Sequence, residues 1–155
     1  MATQFKVADV ETSLISALQA DTGLTALKVQ VSALSSKQWD EQGNLLVIPP
    51  AVLVLFESAQ DTLRGDITRK TYQSAYDFAV FCGAQDMTSP DKERTGCYAI
   101  ISAVRFALAG IRLPLDAGAD KTVPVQLLGV TPEQFGNDGV WYAVRARIEK
   151  TAQFG

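Results

Sequence analysis

The sequence predicts an α+β fold, a mostly antiparallel sheet with two main helices packed on one face, in the order α-β-β-β-α-β-β. Three observations carry this. Residues 7–21 and 90–109 repeat apolar side chains at helical spacing. Five other segments read as strands, by alternation or as continuous β-branched and aromatic runs. The strands follow one another in groups between only two helices, instead of alternating with helices as a parallel sheet requires. At 155 residues the chain suits one domain, residues 1–155, and no internal repeat or linker-like tract divides it.

The first element places Val7, Val10, Leu14, Ala17 and Leu18 on one stripe, widened by Ile15. Asp9 and Glu11 complement the dipole near its start, and Gly23 is read as its stop. A short strand follows at Leu27–Val31, then a polar, turn-rich stretch from Ser35 to Asn44. After Pro49-Pro50 comes the run Ala51–Phe56, apolar at every position, as expected of a central strand covered on both faces. Gln60–Thr68 reads as an exposed loop. From Tyr72 to Cys82 the even positions are mostly large and apolar, which predicts one long strand. Ser89-Pro90 then starts the second helix, with Tyr98, Ile101, Val104, Arg105 and Leu108 at helical spacing and Gly110 closing it. Val123–Leu128 is a short strand, and Thr131–Gly139 a connecting loop. In the last strand Val140, Tyr142, Val144, Ala146 and Ile148 share one face, and Arg145, Arg147 and Glu149 the other. The expected core comprises Leu14, Leu18, Val54, Phe56, Phe78, Ile101, Val104, Leu108 and Tyr142.

Composition narrows the chemistry. The chain is 47% hydrophobic and 20% charged, so it supports a core. Its net charge of −3 argues against general nucleic-acid binding as the main activity. It opens without a signal-like segment and holds no apolar run near the ~20 residues that span a bilayer, which points to a cytosolic protein. Histidine is absent, which removes Ser-His-Asp and Cys-His catalysis and the commonest transition-metal ligand. Cys82 and Cys97 lack CxxC spacing and read as buried, reduced thiols. No phosphate-binding glycine loop occurs. Asp61, Asp66 and Asp77 are oxygen ligands of the type that hold Mg²⁺, but a solvated loop and one strand-surface charge account for them more simply. Arg64-Gly65-Asp66 matches an adhesion tripeptide by coincidence. Tyr72, Tyr76, Phe78, Trp141 and Tyr142 are assigned mostly to a core face and not to a base-stacking platform. No catalytic residue, cofactor or metal is expected.

Val7-Ala8-Asp9-Val10-Glu11 with Leu14 and Leu18 resembles the N-terminal helix of the Mu-like phage Gp37-type family. Pro50–Glu57 is similar to that family's central strand, Tyr76–Phe81 to its long aromatic strand, and Gly96–Ile101 through Arg105, Leu108 and Gly110 to its second helix. These motifs are structural, and the family is similar in element order to the tail-terminator (tail-completion) proteins of long-tailed phages. The resemblance implies a hexameric ring of this chain that caps the tail tube and docks to the head–tail connector protein. It implies the tail tube protein as a further partner, and the host cytoplasm and then the virion tail as locations. A neck or head–tail joining component is the structural alternative. A metal-dependent hydrolase using Asp61, Asp66 and Asp77, and a ligand-binding domain with an apolar pocket, are the alternatives of other classes.

Two of the strands are longer than one small sheet needs, and long open edges invite pairing with a neighbour. The expected subunit contacts are therefore Asp61, Arg64, Asp66 and Arg69 in the 60–69 loop and Arg145, Arg147 and Glu149 on the last strand, with opposite charges between loop and strand setting register.

Overall fold

The computed structural model describes residues 7–35, 41, 49–65, 68, 71–84, 90–113, 123–133 and 140–153. The elements are α1 (Val7–Gln19), α2 (Thr22–Ala26), β1 (Gln30–Ala33), β2 (Ala51–Leu63), β3 (Thr71–Ala84), α3 (Pro90–Leu108), β4 (Arg112–Leu113), β5 (Val123–Glu133) and β6 (Val140–Gln153). Stripped of the one-turn α2 and the two-residue β4, the order is the expected α-β-β-β-α-β-β.

Helix α1 buries Val10, Leu14 and Leu18, one residue per turn, against the sheet and α3. It stops before residue 21, because Asp21 leaves helical geometry (ψ 126°) and caps α2 instead, its carboxylate accepting the Leu24 N–H at 2.9 Å. Gly23, read as a helix stop, thus lies inside α2. The chain turns at Lys28 in the left-handed region (φ 56°), so β1 begins at Gln30 and not at Leu27. In α3 the buried stripe is Cys97, Ile100, Ile101, Val104 and Leu108. Tyr98 and Arg105 sit one residue, about 100° of rotation, away from it, and both are exposed. Gly110 closes α3 at φ +71°, as its sequence position implied.

The six strands are ordered β1-β2-β3-β6-β5-β4. β1 runs parallel to β2, from Gln30↔Ala51 to Ala33↔Val54; every other pairing is antiparallel. The middle of the sheet is therefore β3 with β6, and the expected central strand Val52–Phe56 lies in the second position. Its continuous apolar run reports burial on two faces, not centrality. Val52 and Val54 join the main core beneath the helices, while Ala51 and Leu53 join a second cluster with Ala79, Phe81, Trp141 and Ala143 on the opposite face. Trp141, whose odd position sets it opposite Val140 and Tyr142, lies in this second cluster, and Phe81, which breaks the alternation of β3, packs beside it.

Of the expected core, Leu14, Leu18, Val54, Phe78, Ile101, Val104 and Leu108 are buried. Phe56 and Tyr142 are half-buried at its margin. Phe56 packs on Phe78 with ring centroids 5.5 Å apart, and Tyr142 meets Tyr98 edge-on at 5.9 Å.

Two strands outrun their expected limits. β2 continues to Leu63, so Gln60–Leu63 is strand and not loop, paired to β3 as far as Leu63↔Tyr72. β5 continues to Glu133 across a bulge between Leu127 and Gly129. Beyond Val54 the strand β2 has no partner on its outer side among the described residues, and Ser58–Leu63 are exposed.

Candidate functional site

The face of the sheet away from the helices is apolar at one end and charged at the other. Alternation along β6 aims Trp141 and Ala143 into the second cluster, and then Arg145, Arg147 and Glu149 outward on the same side, as predicted. Arg145 stands opposite Ala79 on β3. That small side chain lets the guanidinium cross β3 to Glu57 on β2, with which it forms an ion pair, while its other arm reaches Glu133 on β5 at 2.9 Å. One arginine of β6 thus ties β2 to β5 across the width of β3. Arg147 stands directly opposite Asp77 and binds it in a two-pronged contact, Nε–Oδ1 at 2.7 Å and Nη2–Oδ2 at 3.1 Å. Hydrogen bonding to Glu57, opposed by burial, holds the Arg145 guanidinium above its ordinary range; the Asp77 hydrogen bond does the same for Arg147.

Asp61 lies on the other face. It stands opposite Ser74, whose buried hydroxyl donates to its carboxylate at 2.5 Å, and Ser74 stands in turn opposite Lys150. Burial lowers the Lys150 ammonium pKa. Asp61 and Asp77 therefore point to opposite sides of the sheet and do not converge on one cation. Among the described residues no group of three His, Cys, Asp or Glu side chains is placed to hold a metal. Asp66 and Arg69 lie outside the described residues. Arg64 is exposed just past β2, where the chain turns at Gly65 (φ +76°). Glu149 is exposed on β6.

Arg145 and Arg147 meet carboxylates of their own chain, Glu57, Glu133 and Asp77, and not Asp61. Sequence reasoning missed Glu57 and Glu133, since pairing across four strands depends on register and strand order that no local pattern encodes. It also missed Phe106, which is 89% exposed on α3; its position one turn from Ser102 and Ala109, off the buried stripe, was the available signal. Phe106 borders an open groove of about 380 Å³ lined by Ser102, Arg105, Ala109 and Leu127.

Cys82 and Cys97 are fully buried. The Cys97 thiol donates to the Cys82 carbonyl at 3.3 Å, and burial, then the neighbouring thiol, pushes the Cys82 pKa far up. Such thiols are poor nucleophiles. Among the described residues no helix is long and apolar enough to cross a membrane.

No protein-family model and no curated protein sequence matches this chain. Its fold, however, is shared with a solved structure along nearly its whole length. A chain in the virion of a native gene transfer agent particle superposes with a TM-score of 0.62 at 19% identity, covering 95% of this chain and 100% of that one. At that identity the likeness is one of fold.

Proposed function

We propose that this chain is a structural component of a phage-like particle, and specifically a tail-terminator subunit that forms a ring on the completed tail tube and presents a docking face to the head–tail connector. The observation that carries the reading is the end-to-end likeness of fold to a chain of a gene transfer agent virion. A match that leaves almost nothing over on either chain favours a shared architecture for the whole subunit over a borrowed motif. The chemistry is consistent with it: no histidine, two inert thiols, and arginines engaged with carboxylates of the same sheet. On this reading the partners are further copies of the chain, in a hexamer, together with the tail tube and connector proteins. The subunit has no catalytic step, cofactor or sequence-specific nucleic-acid contact. It resides in the host cytoplasm until it joins the tail.

The test is negative-stain microscopy of tails made with and without this protein. Tails of uncontrolled length in its absence, restored to uniform length by adding it, are the expected result. Normal tails without it, or a protein found only at the head vertex, would refute termination; the second result would favour a neck component.

A further inference from the structure

We propose that Phe106 anchors the contact between neighbouring copies of this chain, its patch on α3 and β5 receiving the open edge of β2 from the next copy. The inference rests on the ring reading and assigns its interface. Phe106 is 89% exposed, against 40–48% for Leu27, Leu63, Tyr98 and Leu128. A phenylalanine so exposed contributes nothing to the core of its own subunit, and aromatic side chains are the usual anchors of buried contacts. It also stands beside a groove with Leu127 and Ala109 in its wall.

The partner surface lies on the opposite margin of the same sheet. Strand order puts β3 and β6 between β2 and β5, so the two surfaces do not meet within one chain, but they do meet between copies related head to tail. Such contacts use two different patches and close into rings when the rotation permits. The edges are built unequally. β1 and β4 are four and two residues long, and β5 carries the Gly129 bulge and Pro124 and Pro132. All are devices that discourage strand pairing. The exposed stretch Ser58–Leu63 of β2 has no proline and no lysine. Charge is complementary as well: Arg105 lines the groove beside Phe106, and the exposed stretch of β2 carries Asp61, which accepts a hydrogen bond from the neutral Ser74 hydroxyl. Leu63, two residues on, supplies an exposed apolar side chain for the groove.

The test compares Phe106→Ser, Arg105→Glu and Leu63→Ser with the unaltered protein by sedimentation velocity over a concentration series, with thermal unfolding as the control for fold. Phe106→Ser is expected to keep its Tm and to raise the concentration of half-assembly on the order of tenfold or more. Leu63→Ser should weaken assembly from the other surface. Arg105→Glu should weaken it too, and combining that change with Asp61→Lys should restore it. Assembly of Phe106→Ser indistinguishable from the unaltered protein would overturn the interface and leave the ring standing. Rings that form normally but fail to bind tails would also overturn it, making the patch a dock for another virion protein. If the unaltered protein forms no ring in solution or on tails, the ring reading and this interface fall together.

Discussion

Replacing Gly83 by alanine tests the packing of the second core directly. Gly83 and Trp141 are opposite one another on the two middle strands. A Cβ built on Gly83 would lie 2.5 Å from Cη2 and Cζ3 of the indole and 2.6 Å from Cε3, about an ångström inside normal carbon contact. Relief requires the ring to move. Trp141 is only 3% exposed and lies in a cluster with Leu53, Phe81 and Ala143, of which Leu53 and Ala143 are fully buried. A bicyclic ring packed among them must shift by about an ångström, or the backbone of β3 and β6 must. Overpacking of this kind costs about 1–3 kcal/mol, or roughly 2–12 °C in Tm for a chain of this size. Thermal and urea unfolding followed by tryptophan fluorescence measure it. The pair Gly83→Ala with Trp141→Leu should be less destabilised than the two single changes predict by addition, because the smaller side chain removes the clash. A Gly83→Ala protein with an unchanged Tm, or strict additivity in the pair, would show that the ring is not confined.

Three further outcomes follow from local features. Lys28→Gly should stabilise the fold by about 1 kcal/mol, because a side chain in the left-handed region is relieved; equilibrium urea unfolding measures it. Cys82 and Cys97 should stay unreactive towards a thiol reagent in the native protein and react at the rate of unfolding. The folded pKa of Cys82 lies above the ordinary 9.0, so its contribution is complete below that pH and lost as pH rises past it. Stability should therefore fall as pH rises through the alkaline range, and fall less steeply in Cys82→Ala. Asp77→Asn should weaken the bidentate contact to Arg147, and the Tm difference from the unaltered protein should shrink as salt is raised.

How far the fold was legible depended on whether its determinants were local. The α1 stripe, the α3 core positions Ile101, Val104 and Leu108, the closing Gly110 and the alternation of β6 each follow from periodicity within one segment, and all are present. Asp21 was legible in principle, since an aspartate before a helical turn is a capping residue, but the apolar stripe ahead of it concealed the break. Strand order was not legible. The apolar run Ala51–Val54 says that both sides of the strand are covered, and two kinds of cover satisfy it: a middle position, or a second position beneath one core and above another. Only the placement of Trp141 and Phe81 decides between them. The ion pairs were less accessible still, because Glu57, Arg145 and Glu133 are distant in sequence and meet only after three registers are fixed.

The charged face and the second core are consequences of one alternation, and this bears on how the subunit is used. Along β6 the side away from the helices reads Trp141, Ala143, Arg145, Arg147, Glu149; along β3 it reads Gly83, Phe81, Ala79, Asp77. Small and aromatic residues at one end exclude water and pack against one another. At the other end burial fades, and Arg145 and Arg147 bind neighbouring strands through carboxylates that apolar contacts no longer hold. Partly exposed ion pairs add little stability individually, but an arginine that bridges β2, β6 and β5 restricts how those strands splay. Restraint matters most where β2 has lost its β1 neighbour and extends through exposed residues. An edge offered to another molecule binds better when its shape is already fixed, because less ordering is required on contact. The arginines that sequence reasoning placed between subunits thus also hold contacts within the sheet, to Glu57, Glu133 and Asp77.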